Sequence, residues 1–492
     1  MFRCSLHLRH YCHQVSQSTI FALSSGQGKC GVAVIRVSGP SAGNALKHLT
    51  GMKELPKPRY ALLKKLKHPD RGEVLDRGLV LWFPSPHSFT GEDSCEFQIH
   101  GGLAVINGVL NALSAIPTLR LASPGEFTKR AFYNGKLDLT QAEGLADLLS
   151  AETELQRKQA FLQTEGHLKN VYMRWKNVLV SALANLEAYI DFHETEVLDA
   201  DLVNGTMNSV LKLSEDIRKH LGNGVRGECL RNGVKTVLIG ETNVGKSSLA
   251  NVLCSRPLSI VTPIHGTTRD VLEATLDIGG YPVVLNDTAG LRSQSADVIE
   301  QEGMIRTLRA CEDANLILLV ADCTNYLSWQ KASQSSNFLD FLAFYARKLD
   351  ICDILFNEDN TTKKPFIVIG NKVDLVEECD LVHLQSFQNL ISCNSKKGID
   401  FLTSSIIDQL KQICGEPTEE HPSMNQVRHR ECLTLCLRHL ESFLQDRQSF
   451  DDNTVFMAEK LRKALRQLDK LTGIFSTEQL LSVIFNQFCI GK

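Results

Sequence analysis

The chain has 492 residues, 43% of them hydrophobic and 22% charged, with a net charge of −3; such a length predicts about three domains, and such a composition excludes a disordered or fibrous chain. The small net charge excludes a globally basic nucleic-acid binder, so any such contact has to come through a local patch or a partner. Fifteen cysteines, an odd number with no C-x-x-C pair, argue against a disulfide framework or zinc finger and for a reducing compartment, and no apolar run reaches transmembrane length.

Residues 1–18 carry Arg3, Arg9 and several Ser and His residues among apolar ones, and the first acidic residue is Glu54. This predicts a mitochondrial presequence, hence a matrix protein. From Thr19 to residue 138 the segments GVAVIRVSG, GLVLWFP and CEFQIHGG read as strands ended by turns, which predicts an α+β domain. Thr140 and Glu143 have capping-box spacing ahead of a helical stripe. Residues 139–231 then read as helical, with Val171, Trp175, Val178, Leu179, Ala182, Leu183, Leu186, Tyr189 and Ile190 on one buried face. The same texture returns over 416–492, where Leu461, Ala464, Leu465 and Leu468 form a stripe.

Between them, over 232–415, apolar strands alternate with helix-compatible stretches: VKTVLIG, TLDIGGYPVVLND, NLILLVADC, PFIVIGNKVD and LISCNS. That alternation predicts a mostly parallel sheet covered by helices. Leu327 to Asn360 carries no motif and reads as a surface insertion. The expected architecture is multidomain α/β: an α+β N-terminal domain and an all-α helical domain split by an inserted Ras-like P-loop GTPase domain. Cys432 and Cys436, four apart on a helix, read as two buried thiols rather than a metal site.

The chemistry concentrates at Gly240, where a strand runs into the pattern G-x-x-x-x-G-K-S. Backbone N–H groups from Gly240 through Val244 and Gly245 to Ser248 can surround phosphates, Lys246 neutralises the β- and γ-phosphates, and the Ser247 hydroxyl ligates Mg²⁺. Downstream, Asp287-Thr288-Ala289-Gly290 closes a strand, placing Asp287 beside Mg²⁺ and the Gly290 N–H near the γ-phosphate. Thr268, in Gly266-Thr267-Thr268-Arg269-Asp270, is the candidate second protein ligand to Mg²⁺. Asn371-Lys372-Val373-Asp374 ends another strand, and its Asp374 can accept from two guanine N–H groups, which selects GTP over ATP. Ser392-Cys393-Asn394 lies where a loop backs the guanine O6. Leu291 follows Gly290 where many GTPases place a water-orienting glutamine.

The stretches GVAVIRVSG, LWFPSPHSFTGEDSCEFQIHGG, SPGEFTKRAFYNGKLDLTQAE, GETNVGKSSLAN, GTTRDV, DTAGLR, NKVD and FCIGK together resemble the tRNA-modification GTPases of the MnmE/TrmE family, in particular their mitochondrial members. The likeness runs from about Thr19 to Lys492, excepting Leu327 to Asn360. It implies an N-terminal domain that dimerises and binds a tetrahydrofolate one-carbon donor, 5-formyl- or methylene-tetrahydrofolate. It also implies K⁺-stimulated hydrolysis and an FAD-dependent partner, the pair acting on carbon 5 of a tRNA wobble uridine.

Carried onto this chain, the implied folate contacts are Arg36, Glu96, Lys136 and Lys492, with Cys489 nearby. The implied K⁺ ligands are Asn243, Thr262, Ile264 and Thr267, which can do the work of an arginine finger. The implied water-orienting carboxylate is Glu300, with Glu302 as competitor. Two departures stand out: Thr242 where the family has Pro, and Ser392-Cys393-Asn394 where it has Ser-Ala. Two other readings remain: a ribosomal-RNA assembly GTPase without covalent chemistry, and a folate-dependent aminomethyl-transfer enzyme with a regulatory GTPase.

Overall fold

A computed structural model of the chain describes residues 18–26, 28–192, 200–255, 273–286, 308–333, 337–357, 359, 361–419, 422–446, 450–473 and 478–492. They fall into two compact units. One combines the described residues up to Ala146 with Gln163–Ala184 and Leu461–Lys492; the other combines Asp147–Leu162 with Asn185–Lys460.

The first unit is built on β1 (Thr19–Leu23), β2 (Cys30–Ser38), β3 (Leu62–Lys67), β4 (Val74–Phe83), β5 (Ser94–Gly101) and β6 (Leu119–Leu121). They form one sheet in the order β3-β4-β5-β2-β1-β6, antiparallel throughout except for the β1/β6 pair. Strand alternation explains its layering. Ala33, Ile35, Val37, Val80, Phe97 and Ile99 are buried with Ala45, Leu46 and Leu49 of α1 (Ala42–Thr50) and with Val109 and Leu113 of α2 (Leu103–Ser114). Arg36 and Glu96, the intervening residues on β2 and β5, take the opposite face. Then come α3 (Glu126–Tyr133) and α4 (Leu139–Ser150).

The capping box at the start of α4 differs from the expected Thr140/Glu143 pair. Asp138 Oδ1 accepts from the Gln141 N–H at 2.9 Å, and the Asp138 N–H donates to Gln141 Oε1 at 3.2 Å. Asp138 wins because an Asp-x-x-Gln pair has the same spacing two residues earlier. Thr140 and Glu143 are buried in the helix instead.

Further helices are α5 (Glu154–Thr164), α6 (His167–Phe192) and α7 (Ala200–Asn232). On α6, Val171, Trp175, Leu179, Ala182 and Leu186 are buried at the helical spacing read from sequence, while Val178, Leu183, Tyr189 and Ile190 of the expected face are only half-buried.

The second unit's sheet contains β7 (Val234–Ile239), β8 (Glu273–Ile278), β9 (Tyr281–Asn286), β10 (Leu316–Asp322), β11 (Phe366–Asn371) and β12 (Asn389–Leu390), in the order β12-β11-β10-β7-β9-β8. Only the β8/β9 hairpin is antiparallel. Its helices are α8 (Lys246–Cys254), α9 (Cys323–Ser333), α10 (Phe338–Lys348), α11 (Cys352–Leu355) and α12 (Ile399–Cys414).

All seven residues of β10 are buried, as a strand covered on both faces requires. Leu316, Leu318 and Val320 pack with Leu249 of α8 and Leu402, Ile406 and Leu410 of α12. Ile317, Leu319 and Ala321 pack with Tyr326, Phe341, Leu342 and Tyr345. The stretch Leu327 to Asn360 is therefore no surface insertion. Its Leu327, Phe341, Leu342, Tyr345, Ala346, Ile351 and Leu355 are buried, because the sheet's second face needs an apolar cover.

The strand expected in LISCNS is also shorter. It stops at Leu390, because Ser392 turns its N–H back to the Lys397 carbonyl at 3.0 Å. Finally, α13 (Val427–Gln445) packs along α7, and α14 (Phe450–Thr472) and α15 (Glu478–Phe485) end the chain. Cys432 and Cys436 are buried on α13, and the described residues contain no cluster of three or more His, Cys, Asp or Glu able to hold a metal.

Candidate functional site

The central strand β7 delivers the chain to Gly240, and α8 starts at Lys246, so the phosphate-loop sequence is the turn from a buried strand into a helix N-terminus. Two glycines are obligatory for different reasons. A Cβ on Gly240 would collide with the Val320 carbonyl of β10, whereas Gly245 has φ +98° and abuts the Asn371 amide. Asn243 takes φ +63°, which asparagine tolerates best among residues with a Cβ.

This left-handed alternation curls the backbone into a concavity of N–H groups at the positive end of α8. The Lys246 ammonium donates to the carbonyls of Gly240 at 2.8 Å and Glu241 at 2.6 Å, which holds it over the loop. Ser247 and Ser248 lie in the first turn of α8, and Val244 is buried beneath the loop. A polyphosphate fits this cradle: glycines where side chains would intrude, oriented donors and a fixed ammonium.

The guanine-motif residues close on the same loop. Asn371 is buried; its Nδ2 donates to the Val244 carbonyl at 2.7 Å, and its Oδ1 accepts from the Cys393 N–H at 3.3 Å. One side chain thus ties the phosphate loop to the 392–394 loop. Lys372, at φ +64°, places its ammonium 2.8 Å from the Asp322 carboxylate. Asp322 also accepts from the Thr324 N–H and hydroxyl at 2.9 and 2.7 Å. Burial pushes the Asp322 carboxyl up, but the Lys372 ammonium and Thr324 outweigh it and hold it below the ordinary range.

Asp374 and Asn394 stand exposed. Burial raises the Cys393 thiol against the Asn371 hydrogen bond, so it stays protonated at neutral pH. Asp322 escaped the sequence reading, although a strand-end Asp two residues before Thr is a recognisable Asx turn. Thr262, Ile264, Thr267, Thr268, Asp287, Gly290, Glu300 and Glu302 lie outside the described residues.

A second constellation occupies the face of the first unit's sheet opposite α1 and α2. Arg36 and Glu96 are register partners on β2 and β5, with Nε and Oε1 3.0 Å apart. The guanidinium lies 5.1 Å from the Phe89 ring centre and 5.8 Å from that of Phe127. The chain's last residue enters this field. Burial, then Arg36, push the Lys492 ammonium below the ordinary lysine value, against Glu96 and Cys489.

The terminus is fastened by backbone. Ser24 Oγ donates to the Gly491 carbonyl at 2.9 Å, and Gly491, at φ +100°, presses on the Leu23 carbonyl where a Cβ has no room. Lys136 is exposed and lies against Gly91, in the loop that carries Phe89. An arginine–carboxylate pair beside aromatic faces, with a lysine charge in the same field, fits a flat anionic heterocycle with N–H donors.

The signature described as the TrmE N-terminus matches residues 19–136, and that of the MnmE helical domain matches residues 139–489. The chain belongs to the MnmE/TrmE family of GTPases. Among curated relatives, the mitochondrial 5-taurinomethyluridine tRNA synthase subunit GTPB3 of Danio rerio is 47% identical over 96% of this chain and 93% of its own length. Its Homo sapiens counterpart is 44% identical over 97% and 94%. The tRNA modification GTPase MnmE of Rickettsia typhi is 40% identical over 96% of this chain and its entire length. The MnmE/TrmE pattern accounts for the coexistence of a guanine-nucleotide fold and a separate N-terminal module. The names of these relatives agree with a mitochondrial location.

Proposed function

We propose that the chain is the GTP-hydrolysing subunit of a mitochondrial tRNA-modification complex acting on carbon 5 of the wobble uridine, with one carbon drawn from a tetrahydrofolate. The observation that carries this reading is the Arg36–Glu96 pair set against the Phe89 and Phe127 rings, with the Lys492 charge in its field, which a GTPase that merely binds ribosomal RNA has no use for. The relatives' names also disfavour that alternative. The names of the vertebrate relatives favour the taurinomethyl product.

In this reading Lys246 neutralises the phosphates, and Ser247 and Thr268 ligate Mg²⁺. Asp287 sits beside that ion, and Gly290 donates to the γ-phosphate. Asn243, Thr262, Ile264 and Thr267 supply oxygens to K⁺, and Glu300 orients the attacking water. Asp374 selects guanine, backed by the loop at Ser392, Cys393 and Asn394, while the Lys372 stem covers the base.

Arg36, Lys492 and Lys136 supply the cationic contacts to 5-formyl- or methylene-tetrahydrofolate, and Glu96 accepts from its ring N–H groups. The bound folate supplies the one-carbon unit. The domains are then 19–138, a helical domain of 139–231 plus 416–492, and the GTPase at 232–415, after a presequence of 1–18 that directs the chain to the matrix. A homodimer through the N-terminal domain and an FAD-dependent partner complete the assembly on tRNA.

The test is mass spectrometry of wobble uridines in mitochondrial tRNA from cells lacking this protein. Loss of the modified nucleoside is expected; an unchanged profile sinks the proposal.

A further inference from the structure

The stretch that the sequence leaves without a motif reaches the nucleotide site. Tyr345, on α10, is buried, with its ring 5.4 Å from that of Phe341 at an 18° interplanar angle. Its hydroxyl donates to the Val320 carbonyl at 2.8 Å and accepts from the Glu241 N–H at 3.1 Å. Val320 is the β10 residue against which Gly240 is packed, and Glu241 is the first residue after that glycine. One turn along α10, the Lys348 ammonium lies 3.0 Å from the Glu241 carboxylate.

The Gly240 and Glu241 carbonyls both accept from the Lys246 ammonium. The Glu241 N–H belongs to the same peptide unit as the Gly240 carbonyl. A hydroxyl that fixes this peptide plane therefore fixes, through one covalent unit, the direction in which Lys246 is held.

We infer that Tyr345 is a positioning residue for GTP binding: its hydroxyl clasps the phosphate loop from behind and sets the Gly240–Glu241 peptide that orients Lys246. The hydroxyl, not the ion pair, carries the effect. A partly buried N–H stripped of its acceptor pays a desolvation cost, whereas a half-exposed Lys–Glu pair is screened and worth little. The burial of Tyr345 raises its phenol well above the ordinary value, against the Glu241 N–H, so the hydroxyl keeps its proton to donate at any physiological pH.

The inference rests on Gly240–Ser247 being the nucleotide's phosphate loop, a reading that GDP binding by the unaltered protein checks on its own. The experiment compares GTP and GDP dissociation constants, hydrolysis at saturating GTP and thermal midpoints in the full chain. Tyr345→Phe removes the hydroxyl and keeps the ring. About tenfold weaker binding of both nucleotides is expected, with KM raised in step and kcat within about twofold, because the loss is one made in ground and transition states alike.

Phe341→Leu loosens the same aromatic cluster and keeps the clasp. It is expected to lower the thermal midpoint and leave nucleotide affinity unchanged. Lys348→Met should change affinity by less than about threefold. If Tyr345→Phe binds both nucleotides within twofold of the parent, or if Phe341→Leu loses affinity in proportion to its lost stability, the hydroxyl positions nothing and the inference is overturned.

Discussion

At the scale of single residues, the nucleotide and sheet-face sites both depend on charges held by partners rather than left in solvent. Asp322 holds Lys372 at 2.8 Å while Thr324 satisfies the other side of the carboxylate. Asp322→Asn keeps the shape and removes the charge, leaving a half-buried ammonium uncompensated. Guanine-nucleotide affinity is expected to fall about three- to tenfold, with little change in protein stability, as read by GDP titration and thermal melting. The Lys492 ammonium gives a pH signature. Its pKa lies below the ordinary 10.5 because burial and Arg36 disfavour the charge. Binding of 5-formyl-tetrahydrofolate should therefore weaken as pH rises, beginning below the range in which an exposed lysine titrates. Lys492→Arg should abolish that alkaline loss in calorimetric titrations, and persistence of the loss would remove Lys492 from the site.

At the scale of elements, the covers of the two sheets decide stability. The stretch from α9 to α11 buries Phe341, Leu342 and Tyr345 against one face of β10. Phe341→Ala should cost about 3–5 kcal/mol, whereas truncating the exposed Leu339 of the same helix should cost less than about 0.5 kcal/mol. Urea unfolding monitored by circular dichroism distinguishes them. The pairing of α7 with α13 carries a pH dependence. Burial, then the neighbouring His429, depresses the His220 pKa from 6.5 to about 4. The folded state keeps His220 neutral while the unfolded chain takes up a proton below 6.5. The stability is therefore fully present above about pH 6.5 and is lost as pH falls toward 4, by up to about 1.4 kcal/mol per unit. His220→Leu should flatten the melting-temperature profile between pH 7 and 5. Sequence periodicity was a good guide to elements where one face is buried, as on α6. It failed at Leu327 to Asn360, where polar residues separate the apolar ones and only the need to cover β10 makes them a core. It also displaced the α4 cap, since two capping-box patterns overlap at Asp138 and Thr140 and local spacing alone does not choose.

For the whole molecule, the phosphate loop and the Arg36–Glu96 face lie in different compact units, so the two activities should separate by substitution. Arg36→Gln is expected to leave GTP turnover within about twofold of the parent while removing most modified wobble uridine, read by phosphate release and nucleoside mass spectrometry. Equal loss of both would mean that the charge serves the fold. The sequence by itself picked out the strand-to-helix turn at Gly240–Ser247 and the strand-end motif at Asn371–Asp374. These are short-range patterns, set by which residues tolerate left-handed backbone, end a strand or start a helix within a few positions. Only the tertiary structure decided which distant groups meet. Sheet order sets Arg36 opposite Glu96, a pairing that the family resemblance implied only as a shared role, and the Ser24 hydroxyl on the Gly491 carbonyl fastens the chain's last residues in their field. Coverage of the second face of β10 carries Tyr345 to the back of the phosphate loop. Such meetings arise from burying apolar faces across long loops, a requirement that names which faces must be covered but not, from local pattern, which segment covers them.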